Sequence, residues 1–305
     1  MAERAWLVDA SIYIFRAWFS MPDRWYTDDG MPLNAVYGYS NFLVDFLPHL
    51  APGDPVAAAF DESLGTCFRN EIFADYKASR ELPDQALAFQ LRACRTVTEL
   101  AGIPCYGGAR YEADDYLATL ARLAAERGTA ATVVTRDKDL GQLLDHPDTT
   151  WWDFAADQFL DATAFHQRFG VRPAQFADYL ALVGDSVDDI PGVPGVGPKT
   201  AAALLSARET LEGIASDFAG VADLPVRGAT KLADKLSAHW PQVLVSRKLA
   251  QLERHVPGVN ELPSFALDRQ RVQAVSDYLS ELGLGGPLLR RWQRLDDRRA
   301  ESSAQ

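Results

Sequence analysis

The sequence predicts an α/β protein: a mainly parallel sheet covered by helices, followed by a smaller and mostly helical second region. Three observations carry this. Short apolar or β-branched runs at residues 6–8, 56–60 and 132–134 alternate with stretches of helical spacing at 37–47, 86–100 and 116–125. Gly102 and Gly128 fall just past two of those helices, where a left-handed cap residue belongs. After about residue 171 the strands fade, and Gly/Pro punctuation alternates with helical runs. A chain of 305 residues fits one large or two ordinary domains.

Each candidate strand runs into an aspartate. Asp9 follows Leu7-Val8, Asp61 follows residues 56–60, and Asp137 comes two residues after Thr135. In an open parallel sheet, ligands bind outside the carboxyl ends of the strands, so one rim should carry clustered negative charge. The segment at about 62–95 is too long for a tight connection and reads as an excursion from the sheet. It holds Arg69, Lys77, Arg80, Arg92 and Arg95 among Phe68, Phe73, Tyr76 and Phe89.

Further carboxylates come in short motifs. Tyr111-Glu112-Ala113-Asp114-Asp115 opens a helix whose buried stripe is Leu117, Leu120, Ala121 and Ala124. Acidic residues there can be caps and dipole complements, which explains one or two of them more easily than three. Asp137-Lys138-Asp139 follows a strand, and Gly184-Asp185-Ser186-Val187-Asp188-Asp189 follows a helix. The D-x-D spacing is not a calcium hand, because Gly141 falls one position early and no Glu closes the loop. An all-oxygen set of this kind suits Mg²⁺ or Mn²⁺ rather than zinc. The five histidines (His49, His146, His166, His239, His255) lie apart from these motifs, and no nucleophile motif competes. Water activated by metal is the chemistry that remains.

Pro191-Gly192-Val193-Pro194-Gly195-Val196-Gly197-Pro198-Lys199-Thr200 leads into a helical run. It satisfies neither G-x-G-x-x-G nor the Walker spacing. It reads as a helix–hairpin–helix whose exposed amides can bind a phosphate, with Lys199 alongside; an ordinary turn between helices is the alternative.

Composition sets bounds on all of this. With 48% hydrophobic and 24% charged residues, the chain is an ordinary globular one. Three cysteines, Cys67, Cys94 and Cys105, show no zinc spacing and read as reduced thiols of a cytoplasmic protein. No apolar stretch reaches membrane-spanning length, and Glu3 and Asp9 interrupt any signal-peptide pattern. The net charge of −12 argues at first against a nucleic-acid partner. Its distribution reverses that. Many acids belong to the proposed metal cluster, while residues 227–254 hold six Lys/Arg (Arg227, Lys231, Lys235, Arg247, Lys248, Arg254) against two acids. The stretch at 290–299 is basic as well.

Taken in order, Leu7-Val8-Asp9, Phe60-Asp61, Phe68-Arg69-Asn70-Glu71, Tyr76-Lys77-Ala78-Ser79-Arg80, the three acidic motifs and the glycine hairpin resemble the bacterial and phage-type 5′→3′ exonucleases of the flap endonuclease family. The likeness includes the 5′-nuclease domain of DNA polymerase I. It implies a Rossmann-like (PIN-like) nuclease core over 1–170, with a helical arch at about 62–95. A helix–hairpin–helix DNA-binding region over 171–290 and a basic tail over 291–305 would follow, with no polymerase domain. By position, Asp9, Asp61, Glu112 and Asp114 match a first metal cluster. Asp137, Asp139, Asp185 and Asp188 match a second, and Asp115 stands beside both. Arg69, Lys77 and Arg80 match basic residues of the arch that serve catalysis. Arg16, Gly195, Gly197, Lys199, Thr200, Lys231 and Lys235 are the expected DNA contacts, with K⁺ held at the hairpin. Ala10 stands where the family commonly has Gly, and Asp189 where Asn is commoner.

The resemblance implies hydrolysis of DNA phosphodiesters by two-metal catalysis, at 5′ ends, flaps or nicks, RNA-primed ends included. Replication primer removal and repair are the implied settings, and a monomer the implied state. Three other readings stay open: a PIN-type ribonuclease, a DNA-binding accessory protein without activity and, most distant because of the hairpin, a metal-dependent phosphatase.

Overall fold

The computed structural model describes residues 3–226 and 228–303 of the chain, with side chains up to Leu295. Its centre is a six-stranded sheet in the order β3-β2-β1-β4-β5-β6. The strands are β1 (Arg4–Asp9), β2 (Val56–Ala59), β3 (Cys105–Tyr106), β4 (Ala130–Val134), β5 (Thr149–Asp153) and β6 (Gln158–Leu160). All neighbours pair in parallel except the β5–β6 edge. The chain builds outward from β1 to β2 and β3, then returns to the other side of β1 with β4. The strand order therefore reverses between β1 and β4, and a crevice opens there at the carboxyl ends.

Strand periodicity divides the core. Successive side chains point to opposite faces. Leu7, Ala57, Val133 and Trp151 enter one cluster, and their neighbours Val8, Ala58, Val134 and Trp152 enter the other. On one face lie α1 (Ala10–Ser20), α2 (Asn34–Phe46) and α4 (Gln85–Leu100). On the other lie α5 (Ala113–Glu126), α6 (Ala162–Phe169), α7 (Phe176–Val183), α8 (Pro198–Arg208), α9 (Leu211–Ala215) and α10 (Ala229–Ala250). Gly102 and Gly128, with φ of 81° and 68°, take the left-handed conformation that ends α4 and α5.

Two expectations change here. The segment at 62–95 forms no long helical arch. It consists of turns, a five-residue helix α3 (Phe68–Ile72) and residues 85–95 of α4, which pack into the core instead of arching over the site. Residues 74–80 form consecutive turns laid on the carboxyl edge of the sheet, because their basic side chains are drawn down onto buried carboxylates. The C-terminal stretch is likewise no free basic tail within the described residues. Helices α11 (Arg269–Glu281) and α12 (Pro287–Ser303) return to the α2–α4 face, where Val275, Leu279, Leu288, Trp292 and Leu295 are buried. Arg227, and the side chains of Arg298 and Arg299, lie outside the described residues.

Candidate active site

Five segments deliver carboxylates to the crevice at the carboxyl edge. Asp9 ends β1 and caps α1, accepting from the Ile12 amide at 3.3 Å and from the Thr135 hydroxyl at 2.8 Å. That second bond joins β1 to β4 across the switch point. Asp61 lies just past β2, its amide bonded to Ser11. Glu112 and Asp114 sit at the N-terminus of α5. Asp137 and Asp139 follow β4, with the Asp139 amide donating to Asp137 Oδ1 at 2.9 Å. Asp185 and Asp188 lie in a loop after α7 that is closed by paired amide bonds between Asp185 and Ile190. Gly184 opens that loop at φ 83°, and a Cβ there would sit 2.6 Å from the Gly192 amide.

Mutual repulsion marks the group as one electrostatic unit. Burial raises the Asp9 pKa from 3.8 to about 7, and Asp137 and Asp61 add to the rise. Asp139 is likewise raised to about 7 by burial and by Asp137, with Asp188 and Asp185 contributing. Burial, Asp137 and Asp9 push Asp114 well above the usual carboxylate range. Asp188 is raised by burial against the pull of Lys77 and Arg80. Glu112 goes the other way: burial would raise it, but Lys77 and Arg69 outweigh that and lower it.

Cations answer part of this charge. Lys77, at a left-handed φ of 52°, is buried with its ammonium on Glu112 Oε1 and 3.7 Å from Asp188. Arg80 reaches Asp188 at 2.6 Å and remains about one-third exposed. Lys138 bonds Asp185 at 2.5 Å and lies 3.3 Å from Asp139. Tyr76, whose place beside the arch cations suits either stacking on an unpaired base or core packing, is buried and donates its hydroxyl to Glu112 at 2.9 Å, which favours packing. Sequence reasoning missed Thr135 and Lys138 as members of the site. The lysine between two aspartates in Asp137-Lys138-Asp139 was the available signal for the last.

Two expected residues serve a different purpose. Arg69 is only 1% exposed and spends its guanidinium on Asp115, Glu112 and the carbonyls of Leu249 and Gln251, so it is not placed to meet a phosphate. Asp115 is fully buried and accepts two bonds from Arg69, one from the Glu112 amide and one from the Glu253 amide. A carboxylate offers about four acceptor positions, and all are taken. Asp115 is therefore corrected from metal ligand to internal anchor.

As the side chains stand, no three carboxylates among the described residues are arranged to hold one ion. Lys77, Arg80 and Lys138 occupy the positions between them. The donor set nevertheless fits a hard divalent cation. It is all oxygen, burial and neighbouring carboxylates raise the proton affinity of Asp9, Asp114 and Asp139, and Asp139 Oδ1 is buried without a hydrogen-bond partner.

These raised values have a measurable consequence for the metal-free protein. Asp9 and Asp139 hold protons in the folded state up to about pH 7 but only to about 3.8 when unfolded. Their contribution to stability is complete below the unfolded value and is lost as pH rises through 7. Calorimetry in EDTA should show the melting temperature falling from pH 5 to pH 8. A flat or rising profile would mean that these carboxylates are not crowded.

The hairpin stands beside this site. Gly195 turns at φ 82°, and Gly197 caps α8 with no side chain on the free amides of its first turn, which includes Lys199 and Thr200. Lys199 is exposed. Lys231 and Lys235 lie one turn apart on α10, and Lys235 reaches the Pro194 carbonyl at 3.2 Å. Arg247 and Arg254, by contrast, are engaged by Glu212 and Asp145. Arg16 is exposed on α1, which packs on the opposite face of the sheet from α8 and α10.

Comparison with known proteins agrees with this geometry. A family model for the 5′-3′ exonuclease N-terminal, resolvase-like domain matches residues 4–170, and one for the 5′-3′ exonuclease C-terminal SAM fold matches 171–273. The chain belongs to the 5′-3′ exonuclease family. Among the chain's relatives, DNA polymerase I of Pseudomonas aeruginosa is 38% identical over 251 residues, 82% of this chain and 27% of that one. DNA polymerase I of Mycobacterium leprae is 35% identical over 280 residues, 90% and 30% respectively. The chain thus spans under a third of the length of these relatives. The T5 5′-exonuclease with bound zinc superposes with a TM-score of 0.63 at 19% identity, covering 97% of this chain and 99% of the other. The catalytic core of Rad2 in complex with DNA substrate gives 0.60 at 18%, covering 95% and 89%. At such identities these two structures establish the common fold.

Proposed function

We propose that this exonuclease hydrolyses DNA phosphodiesters at 5′ ends, flaps and nicks, leaving a 5′-phosphate and a 3′-hydroxyl. The observation that carries the reading is the convergence of Asp9, Asp61, Glu112, Asp114, Asp137, Asp139, Asp185 and Asp188 on one sheet edge, beside an uncapped hairpin. These carboxylates would hold Mg²⁺, with Mn²⁺ as a substitute. Bound there, divalent ions would supply a water of lowered pKa and positive charge for the entering and leaving oxygens of the displacement.

The chain's own groups do the rest. Arg80, partly exposed at the rim, can leave Asp188 for a phosphate oxygen, and Lys77 offers its ammonium from below. Free amides at the start of α8, with Lys199, Thr200 and the α10 lysines, take the phosphates of the duplex behind the cleavage point. K⁺ at the hairpin carbonyls, RNA-primed 5′ ends, a monomeric state and a cytoplasmic setting in primer removal and repair complete the reading. Among the described residues, no helix is long and apolar enough to cross a membrane.

The test is to incubate the protein with a 5′-flap DNA, a blunt duplex and a single-stranded RNA, each with Mg²⁺ or EDTA. Flap cleavage that vanishes in EDTA is expected. Binding without cleavage under any divalent ion would favour an accessory role, and a preference for the RNA would favour a ribonuclease. Lys199→Ala and Lys235→Ala should each lower the slope of log affinity against log salt by about 1. A slope that both leave unchanged would remove this surface from the interface.

A further inference from the structure

We propose that Arg69 and Asp115 are a positioning pair: they fix Glu112 and fasten it to the C-terminal end of α10, so that an active-site carboxylate depends on the docked helical platform. The proposal rests on the hydrolytic role given above to Glu112.

The bonds define the device. Arg69 Nη1 and Nη2 each bond one oxygen of Asp115 at 2.7 Å, and Nη1 lies 2.9 Å from Glu112 Oε2. The other edge of the guanidinium faces α10: Nε donates to the Leu249 carbonyl at 2.8 Å, and Nη2 to that of Gln251 at 2.9 Å. Asp115 grips the same two bodies. Its Oδ2 accepts from the Glu112 amide at 3.1 Å, and its Oδ1 from the Glu253 amide at 2.9 Å. One turn along α5, the Thr119 hydroxyl donates to the Asp115 carbonyl and accepts from the Val256 amide at 3.1 Å. Both ionic groups are buried, so removing Arg69 leaves Asp115 without a counter-charge, and removing Asp115 leaves Arg69 with Glu112 alone.

The far end of the connection is the hairpin. Helix α10 has 22 residues and is about 33 Å long. Lys235 contacts the Pro194 carbonyl, and Ser246 donates to the Pro191 carbonyl at 2.7 Å. Helix α10, which continues through Pro241, therefore touches the proposed duplex-binding turn at Lys235 and again at Ser246, one turn before the clamp on Glu112. A loose α10 end would let Glu112 leave its place without any change in the carboxylates themselves.

The experiment compares Arg69→Lys, Asp115→Asn and the double variant in the full chain, reading three quantities. These are Mn²⁺ affinity by calorimetry without DNA, kcat and KM on flap DNA, and hydrogen exchange at the amides of Glu253 and Val256. Each single change should weaken Mn²⁺ binding about 10–100-fold and lower kcat while leaving KM near its starting value. Exchange at Glu253 should quicken in both. The double variant should match the worse single within about threefold, because the two residues act as one unit. Multiplying effects, or a loss of Mn²⁺ affinity in Asp115→Asn alone, would make Asp115 a ligand and overturn the proposal. Thr119→Val, which loosens the same junction and leaves both ionic groups in place, guards against misfolding of the other variants. It should quicken Val256 exchange and weaken Mn²⁺ binding; faster exchange at unchanged affinity would break the link to the platform. Should the wild-type protein cleave no flap under any divalent ion, the hydrolytic reading fails, and the Mn²⁺ and exchange data still decide whether the pair positions Glu112.

Discussion

Replacing Asp139 with Asn should leave a protein that binds flap DNA but cleaves it at least about 10³-fold more slowly, a loss near 4 kcal/mol of transition-state stabilisation. Asp139 has a buried oxygen with no hydrogen bond, and Asp137, Asp188 and Asp185 around it outnumber its one cation, Lys138 at 3.3 Å. Asn preserves its shape and removes both the charge and the stronger ligand. The same change relieves repulsion in the metal-free protein, so its melting temperature in EDTA should rise by a few degrees at pH 7.5. Activity and stability are therefore expected to move in opposite directions. Single-turnover cleavage and calorimetry on one preparation read both, and a joint loss would identify Asp139 as a structural residue.

Lys77→Met should be the most destabilising change at the rim. Met keeps the length and flexibility of the side chain and deletes its charge. The ammonium is buried against Glu112 and lies near Asp188, and burial alone would lower its pKa; Glu112 and Asp188 override that and raise it. Breaking a buried ion pair by removing one partner costs about 3–5 kcal/mol. Denaturant unfolding in EDTA should show a loss of that size. Added Mg²⁺ should restore more stability to the variant than it adds to the wild-type protein, since a divalent ion can take over the charge that Lys77 balanced. Equal Mg²⁺ stabilisation of the two proteins would separate Lys77 from the metal site. Cleavage should fall about 10²–10³-fold, the usual cost of losing one preorganised donor.

Much of this was legible in the sequence because strands are short and their ends are chemically marked. Asp9, Asp61 and Asp137 each follow an apolar run, and a parallel sheet places such ends on one edge whatever the details of the helices. The glycine hairpin was equally readable, since its punctuation is local. What was not legible depends on contacts far along the chain. Arg69 looked like one more cation among aromatics, and nothing near it reveals that the carbonyls of Leu249 and Gln251 will meet its guanidinium. Asp115 belongs to the same acidic run as Glu112 and Asp114. One signal did set it apart: the third residue after the helix cap reaches back to the cap amide, and Asp115 does so at Glu112. The turns between the two helices of the arch segment were hidden for a related reason. Arg80 and Lys77 face carboxylates close enough to pair with, and pairing holds residues 74–80 as turns against the sheet. The return of α12 rests on Leu288, Trp292 and Leu295, a buried stripe that the surrounding arginines obscured in composition.

The central claim is that the carboxylates on the sheet edge form a divalent metal site. Titration of Mn²⁺ into the DNA-free protein near pH 6.5, in two buffers of different ionisation enthalpy, tests it most directly. Asp9 and Asp139 are raised to about 7 and are largely protonated at that pH, so metal must displace their protons. The account predicts saturable binding with proton release, weakened in Asp139→Asn. Absence of binding, or binding of unchanged affinity and proton count in that variant, would contradict it.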